Sequence, residues 1–256
     1  MLLRAGVLHP ATRKVAIMPN ENASVVLVHG AWADGTSWAK VIDPLKAEGV
    51  RVVAASLPLT SLADDTAALE RAIERVGGPV VLAGHAYAGA VIGSVRSEKV
   101  AALVYVAALA PDEGEKVADV FYRATPDPRA PKLAPDSHGL IWLPEEAFAQ
   151  AFAQAASTPE LARLAAVQRP ISISAITVPV GRPLWKDRPS FYLVAERDRM
   201  VVAETQRFLA ERMRARVRSL PVDHSPMVTA PEAVVGLIRE AMREATAGAG
   251  LDALVH

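Results

Sequence analysis

The sequence predicts an α/β fold: a mostly parallel central sheet flanked by helices, with a helical cap inserted between two of its strands. Three observations carry that expectation. Short runs rich in Val, Leu and Ala alternate with helical patterns, which is the signature of βαβ units. The runs show little polar alternation, as expected of strands buried on both faces. The alternation breaks once, across a stretch studded with Pro126, Pro128, Pro131 and Pro135. A chain of 256 residues, 51% of them hydrophobic, suits one large domain with an insertion.

Taken in order, the strand candidates are Val25–His29, Val50–Ala55, Val80–Ala83, Ala101–Ala107, Ser190–Ala195 and Val217–Pro221. Between the second and third, Ser61-Leu62-Ala63-Asp64 has the form of a capping box, and Leu69, Ile73 and Val76 follow on one stripe. Residues 111–188 read as the cap. Within it one helix carries Phe148, Ala151, Phe152 and Ala155 on a face, and a second runs from Pro159 to Val167. The last helix opens at Pro231 and repeats Val234, Leu237, Ile238, Ala241 and Met242 at core spacing. The core is thus divided into 19–110 and 189–246. Residues 1–18 are expected to be a disordered leader, and 247–256 a frayed tail.

Composition narrows the function classes. Twenty-eight basic residues balance 28 acidic ones, with no basic stripe, so nucleic acid is not an expected partner. Cysteine is absent, which removes disulfides and thiolate metal sites and fits a reducing, cytoplasmic setting. No apolar run approaches a membrane span. No His or carboxylate cluster has metal-ligand spacing, and neither metal nor cofactor is expected.

The chemistry concentrates at Gly84-His85-Ala86-Tyr87-Ala88-Gly89, which follows a strand and precedes a helix. This is the frame of a nucleophile elbow, in which a serine sits on a sharp turn above the sheet. The serine position holds Ala86, whose methyl group neither attacks a carbonyl nor gives up a proton. Two further groups follow in the order nucleophile, acid, histidine: Asp198 just past a strand end, and His224 between the last strand and the last helix. Glu196 and Asp223 compete with Asp198 for the acid position. His29-Gly30-Ala31-Trp32 follows the first strand, where an oxyanion turn is needed. His29 and His85 read as turn supports. His138, Trp32 and Trp185 are substrate-contact candidates, each with a plainer alternative in solvation or packing. Arg197 and Arg199 read as a solvated loop.

These segments, His-Gly-Ala-Trp at 29–32, the elbow at 84–89, Glu-Arg-Asp-Arg at 196–199 and Asp-His-Ser-Pro-Met at 223–227, resemble the α/β-hydrolase superfamily. Within it they resemble the small esterase and hydroxynitrile-lyase-like group, over about residues 24–245. The resemblance implies the α/β-hydrolase fold, Asp198 as triad acid, His224 as general base, and the backbone N–H groups of Ala31 and Tyr87 as the oxyanion hole. It also implies a small, uncharged, hydrophobic acyl or ester substrate, and leaves a homodimer open. The departures are Ala86 for the serine and Ala88 for the second glycine. Three readings of Ala86 follow: a replacement that makes a hydrolase into a substrate trap, a natural binding protein on a retired hydrolase, or a lyase or oxygenase that uses His224–Asp198 alone. The intact acid, base and oxyanion turn favour the first, because relaxed selection erodes such groups.

Overall fold

The computed structural model describes residues 23–252; the leader assigned to 1–18 lies outside them. In chain order the strands are β1 (Ser24–Val28), β2 (Arg51–Ala55), β3 (Val80–His85), β4 (Val100–Val106), β5 (Leu140–Ile141), β6 (Ile171–Ser172), β7 (Ser190–Ala195) and β8 (Arg216–Leu220). Six form one sheet in the order β2-β1-β3-β4-β7-β8, all parallel. β5 and β6 make a separate antiparallel pair inside the insertion. The chain leaves β1 for β2 on one side, then crosses back to β3 on the other. That reversal opens a crevice at the carboxyl ends of β1 and β3, the place where open α/β sheets bind ligands.

The helices are α1 (Ala39–Ala47), α2 (Leu62–Glu74), α3 (Ala88–Ser94), α4 (Val117–Phe121), α5 (Glu145–Ala147), α6 (Thr158–Ala166), α7 (Ile173–Ile176), α8 (Ala203–Arg212), α9 (Pro226–Thr229) and α10 (Pro231–Asp252). α10 packs on β3, β4 and β7 beside α1, whereas α2 and α3 pack together elsewhere on the sheet. Strands β1, β3 and β7 are buried along their whole length, because helices cover both faces. The edge strand β8 departs from the expected two-sided burial: Arg216 and Val217 are exposed, the latter at 53%. An edge strand with flanking arginines resists pairing with another chain.

Strand limits agree with the sequence reading to within a residue at most ends; β3 runs on to His85, two positions past its expected end. Ser61 caps α2 by accepting the N–H of Asp64 at 3.0 Å. The Asp64 carboxylate, however, accepts the hydroxyls of Thr60 and Ser61 rather than closing the reciprocal half of the box. In the insertion, α5 passes into a π-helical turn over Phe148–Phe152. This corrects the single helix expected there: Phe148, Ala151 and Phe152 are buried, but Ala155 lies beyond the turn and is exposed. α10 continues to Asp252, past the point where the tail was expected to begin. No described helix is long and apolar enough to cross a membrane.

Candidate active site

The elbow links β3 to α3, and Ala86 sits in its left-handed region at φ 50°. A residue with a Cβ pays about 1–3 kcal/mol there. Three backbone hydrogen bonds hold it: Ala86 N–H donates to Val106 at 3.3 Å, and its carbonyl accepts from Gly89 at 3.1 Å and Leu109 at 2.9 Å. Two glycines make the tightness achievable. A Cβ on Gly84 would stand 2.9 Å from the Ala88 carbonyl oxygen, and one on Gly89 would stand 2.2 Å from that of Leu109. Ala88, at the second glycine position of the motif, is fully buried without needing that freedom; the close approach has moved to Gly89.

Asp198 and His224 meet. The Nδ1–H of His224 donates to Asp198 Oδ2 at 2.7 Å, and both side chains are almost wholly buried. The carboxylate also accepts the N–H groups of Met200 (2.7 Å) and Val201 (2.9 Å) on Oδ1 and the Gln206 amide (2.7 Å) on Oδ2. Four donors fix its orientation as an acceptor. The rival carboxylates are engaged elsewhere: Glu196 with Arg207 and Ser219, Asp223 with Ala155, Ser225 and Thr229. His85 Nε2–H donates to the His224 carbonyl at 2.7 Å, tying the elbow to the loop that carries His224. Burial pushes the His85 pKa well below its ordinary value, with the neighbouring His224 a smaller cause, so the ring is neutral. Phe152 stands edge-on to His224, with ring centres 5.2 Å apart, and Ser225 Oγ–H anchors its carbonyl at 2.7 Å.

At the turn after β1, His29 Nε2 accepts the Leu57 N–H at 3.0 Å, so its Nδ1–H donates to Gly30 at 2.9 Å. Burial lowers this histidine's pKa as well. Trp32, at φ 58°, donates its backbone N–H to Arg169 at 3.0 Å and its indole N–H to Ile141 at 2.9 Å. Among the described residues, the backbone N–H groups of Ala31 and Tyr87 donate to no carbonyl. The Tyr87 hydroxyl donates to Asp65 at 2.7 Å, and Asp65 also accepts the Leu59 N–H at 2.7 Å. Burial raises both the Asp65 carboxyl and, further, the Tyr87 phenol.

Ala31, Trp32, Ala86, Tyr87 and His224 border one cavity of about 640 Å³, its mouth included. The insertion contributes Val117, Ala118, Phe121, Tyr122, Leu133, Ile141, Ile171 and Ile176; Leu109, Met200 and Val201 complete the wall. No lining residue carries a formal charge apart from His224 when protonated, which suits an uncharged apolar ligand. Two substrate-contact candidates lie elsewhere. His138 is exposed on the Asp136–Leu140 turn. Trp185 packs beneath α3 and Arg212, its indole N–H on the Pro111 carbonyl at 3.4 Å. Arg199 does more than sit in solvent: it donates to the Gln150 carbonyl and ties the loop that carries Asp198 to the insertion. Among the described residues no three His, Asp or Glu side chains gather as a metal site.

A family model described as "Alpha/beta hydrolase family" matches residues 25–237. A carbendazim-hydrolysing esterase of Nocardioides sp. (strain SG-4G) is 31% identical over 119 residues, 41% of this chain and 49% of that protein. The chain thus matches about half the length of this curated relative. Among solved structures, a pyrethroid hydrolase from Sphingobium faniae superposes with a TM-score of 0.72 at 20% identity, covering 87% of this chain and 98% of the other. A histidine-to-alanine variant of tomato methylketone synthase I, in a complex with β-ketoheptanoate, gives 0.74 at 16% identity, covering 88% and 99%. Polyneuridine aldehyde esterase gives 0.70 at 20%, covering 86% and 98%. These likenesses show a common fold, and with the family match over most of the sequence the chain belongs to the alpha/beta hydrolase family.

Proposed function

We propose that this is an esterase-type site from which the attacking atom has been removed, so that the protein binds a small, uncharged, apolar ester or related acyl compound without forming an acyl-enzyme. One observation carries the reading. Two unpartnered N–H groups, at Ala31 and Tyr87, and the free edge of an Asp198-oriented imidazole border the same apolar cavity as the Ala86 methyl. With a hydroxyl at position 86, His224 Nε2 would take its proton while the oxygen attacks the carbonyl. The two N–H groups would hold the oxyanion, and Asp198 would stabilise the imidazolium. Loss of a triad serine costs about a millionfold in turnover, ~8 kcal/mol of barrier, which no tuning of the remaining groups offsets. Residues 111–188 serve as the cap of this site; eight of them line the cavity.

Ala86→Ser tests the proposal with p-nitrophenyl acetate and a panel of esters and lactones. The variant is expected to gain several orders of magnitude over the unaltered chain. No gain across the panel would remove the acyl-transfer reading.

A second reading keeps the unaltered chain active. His224 and Asp198 would act as an acid–base pair on a substrate that needs no nucleophile, and the methylketone synthase bound to a β-keto acid supports it. Loss of CO2 from a β-keto acid leaves an enolate, which paired N–H groups stabilise and a protonated imidazole quenches on carbon. It predicts that the unaltered chain releases CO2 from β-ketoheptanoate and that His224→Ala abolishes this. Absence of release from the unaltered chain rejects it.

A further inference from the structure

The space beside Ala86 does not end at its own walls. A second hollow of about 840 Å³, open to solvent, lies alongside, and the two share Phe121, Tyr122, Leu133 and Met200. Their chemistry differs. The inner one is lined by hydrocarbon and aromatic side chains, with His224 and the Tyr122 hydroxyl at opposite ends and no acidic or basic chain besides the histidine. The outer one carries Asp127, held by Arg129, and Lys132, whose ammonium meets no acidic group among the described residues. The dividing wall is side chain, not sheet. Phe121 and Tyr122 sit at the end of α4, edge-to-face with ring centres 4.9 Å apart, and Tyr122 is 57% exposed. An aromatic ring this exposed at a cavity mouth gains apolar contact only when something lies against it.

We infer that these four side chains form a waist across an elongated site, so that the favoured ligand is a long ester, apolar beside its carbonyl and reaching past Tyr122 and Leu133 into the outer hollow. The inference rests on the acyl-compound reading above and adds ligand length as the property selected. Tyr122 and Leu133 are specificity residues: they decide how much of the ligand passes. A bulky ring at 133 closes the waist, and loss of the ring at 122 widens it.

The test uses two series in the Ala86→Ser protein, methyl esters lengthened on the acyl side and alkyl acetates lengthened on the alcohol side. The quantity read is the kcat/KM ratio of the long member, methyl octanoate or octyl acetate, to the short one, methyl or ethyl acetate. In at least one series Leu133→Trp is expected to lower that ratio at least tenfold, and Tyr122→Ala to raise it severalfold. Ratios unchanged within twofold in both variants, or falling in both, overturn the waist. A parallel arm uses the chain with Ala86 in place: octyl acetate should raise its melting temperature, and Leu133→Trp should remove that rise. If Ala86→Ser is inactive while this arm behaves as expected, the waist stands and acyl transfer falls. If Ala86→Ser is active and length has no effect, the waist alone falls.

Discussion

Asp65 is a buried carboxylate with no salt-bridge partner among the described residues, held by two neutral donors: the Leu59 N–H and the Tyr87 hydroxyl. Each donor matters to the crevice. Leu59 is in the left-handed region at φ 61°, which its hydrogen bond to Asp65 helps fix. Tyr87 supplies the N–H beside Ala86, and its ring lines the cavity. Tyr87→Phe keeps the ring and removes only the donor, so the carboxylate loses one of two partners while remaining buried. An unsatisfied buried polar group costs about 1–3 kcal/mol, more when charged. Urea unfolding at pH 7.5 should therefore show Tyr87→Phe less stable by at least about 1 kcal/mol. A loss below about 0.5 kcal/mol would mean that Asp65 does not depend on this donor. Because the pair lies between α2 and the elbow, the same change should also widen the spread of ring positions at residue 87.

At the scale of elements, the sequence specified what burial on two faces specifies. β1, β3 and β7 read as uninterrupted apolar runs because helices cover both sides, and α2 and α10 read from their core stripes. The meeting of Asp198 and His224 was legible because each stands just past a strand end, and their 2.7 Å contact needs only the fold to close it. Val217 was misjudged because exposure depends on which strand lies at the edge, a fact of sheet order that no local pattern encodes. Phe152 gave no functional signal, since a π-helical turn shifts the face a residue presents. That shift carries Phe152 from the insertion onto His224 and within 6.0 Å of the His85 ring centre. Asp65 stands in the first turn of α2, where an acid suits the helix N-terminus without being buried, so its burial against Leu59 and Tyr87 comes from tertiary contacts that no local pattern encodes. The cavity residues from the insertion lie in elements too short to show a period: four in or just after α4, two on the two-residue strands β5 and β6, one on α7, and Leu133 among the prolines.

For the whole molecule, the two histidines that shape the crevice also set how stability responds to acid. His29 and His85 are buried and neutral, and burial is the largest cause of both lowered pKa values. The unfolded chain binds a proton at each near pH 6.5, whereas the folded chain binds it only at lower pH. Between those limits the unfolded state holds more protons, so unfolding becomes easier as pH falls, by up to about 1.4 kcal/mol per pH unit for each histidine. Asp65 works in the opposite sense: its raised pKa makes the folded state the better proton acceptor above the ordinary carboxylate value near 3.8. One opposing group against two leaves the histidines dominant at the start of the acid limb. The urea midpoint should thus fall steadily from pH 7.5 to pH 5, before the surface ion pairs such as Lys40–Glu160 begin to titrate, Glu160 being held down to about pH 2 by Lys40 and Ser157. His85→Gln should shallow the slope in that window, since glutamine keeps a donor for the His224 carbonyl but has no proton to gain. A midpoint that stays flat or rises between pH 7.5 and 5, or a slope unaffected by His85→Gln, would separate the crevice from the acid response and leave the loss of stability to the carboxylates.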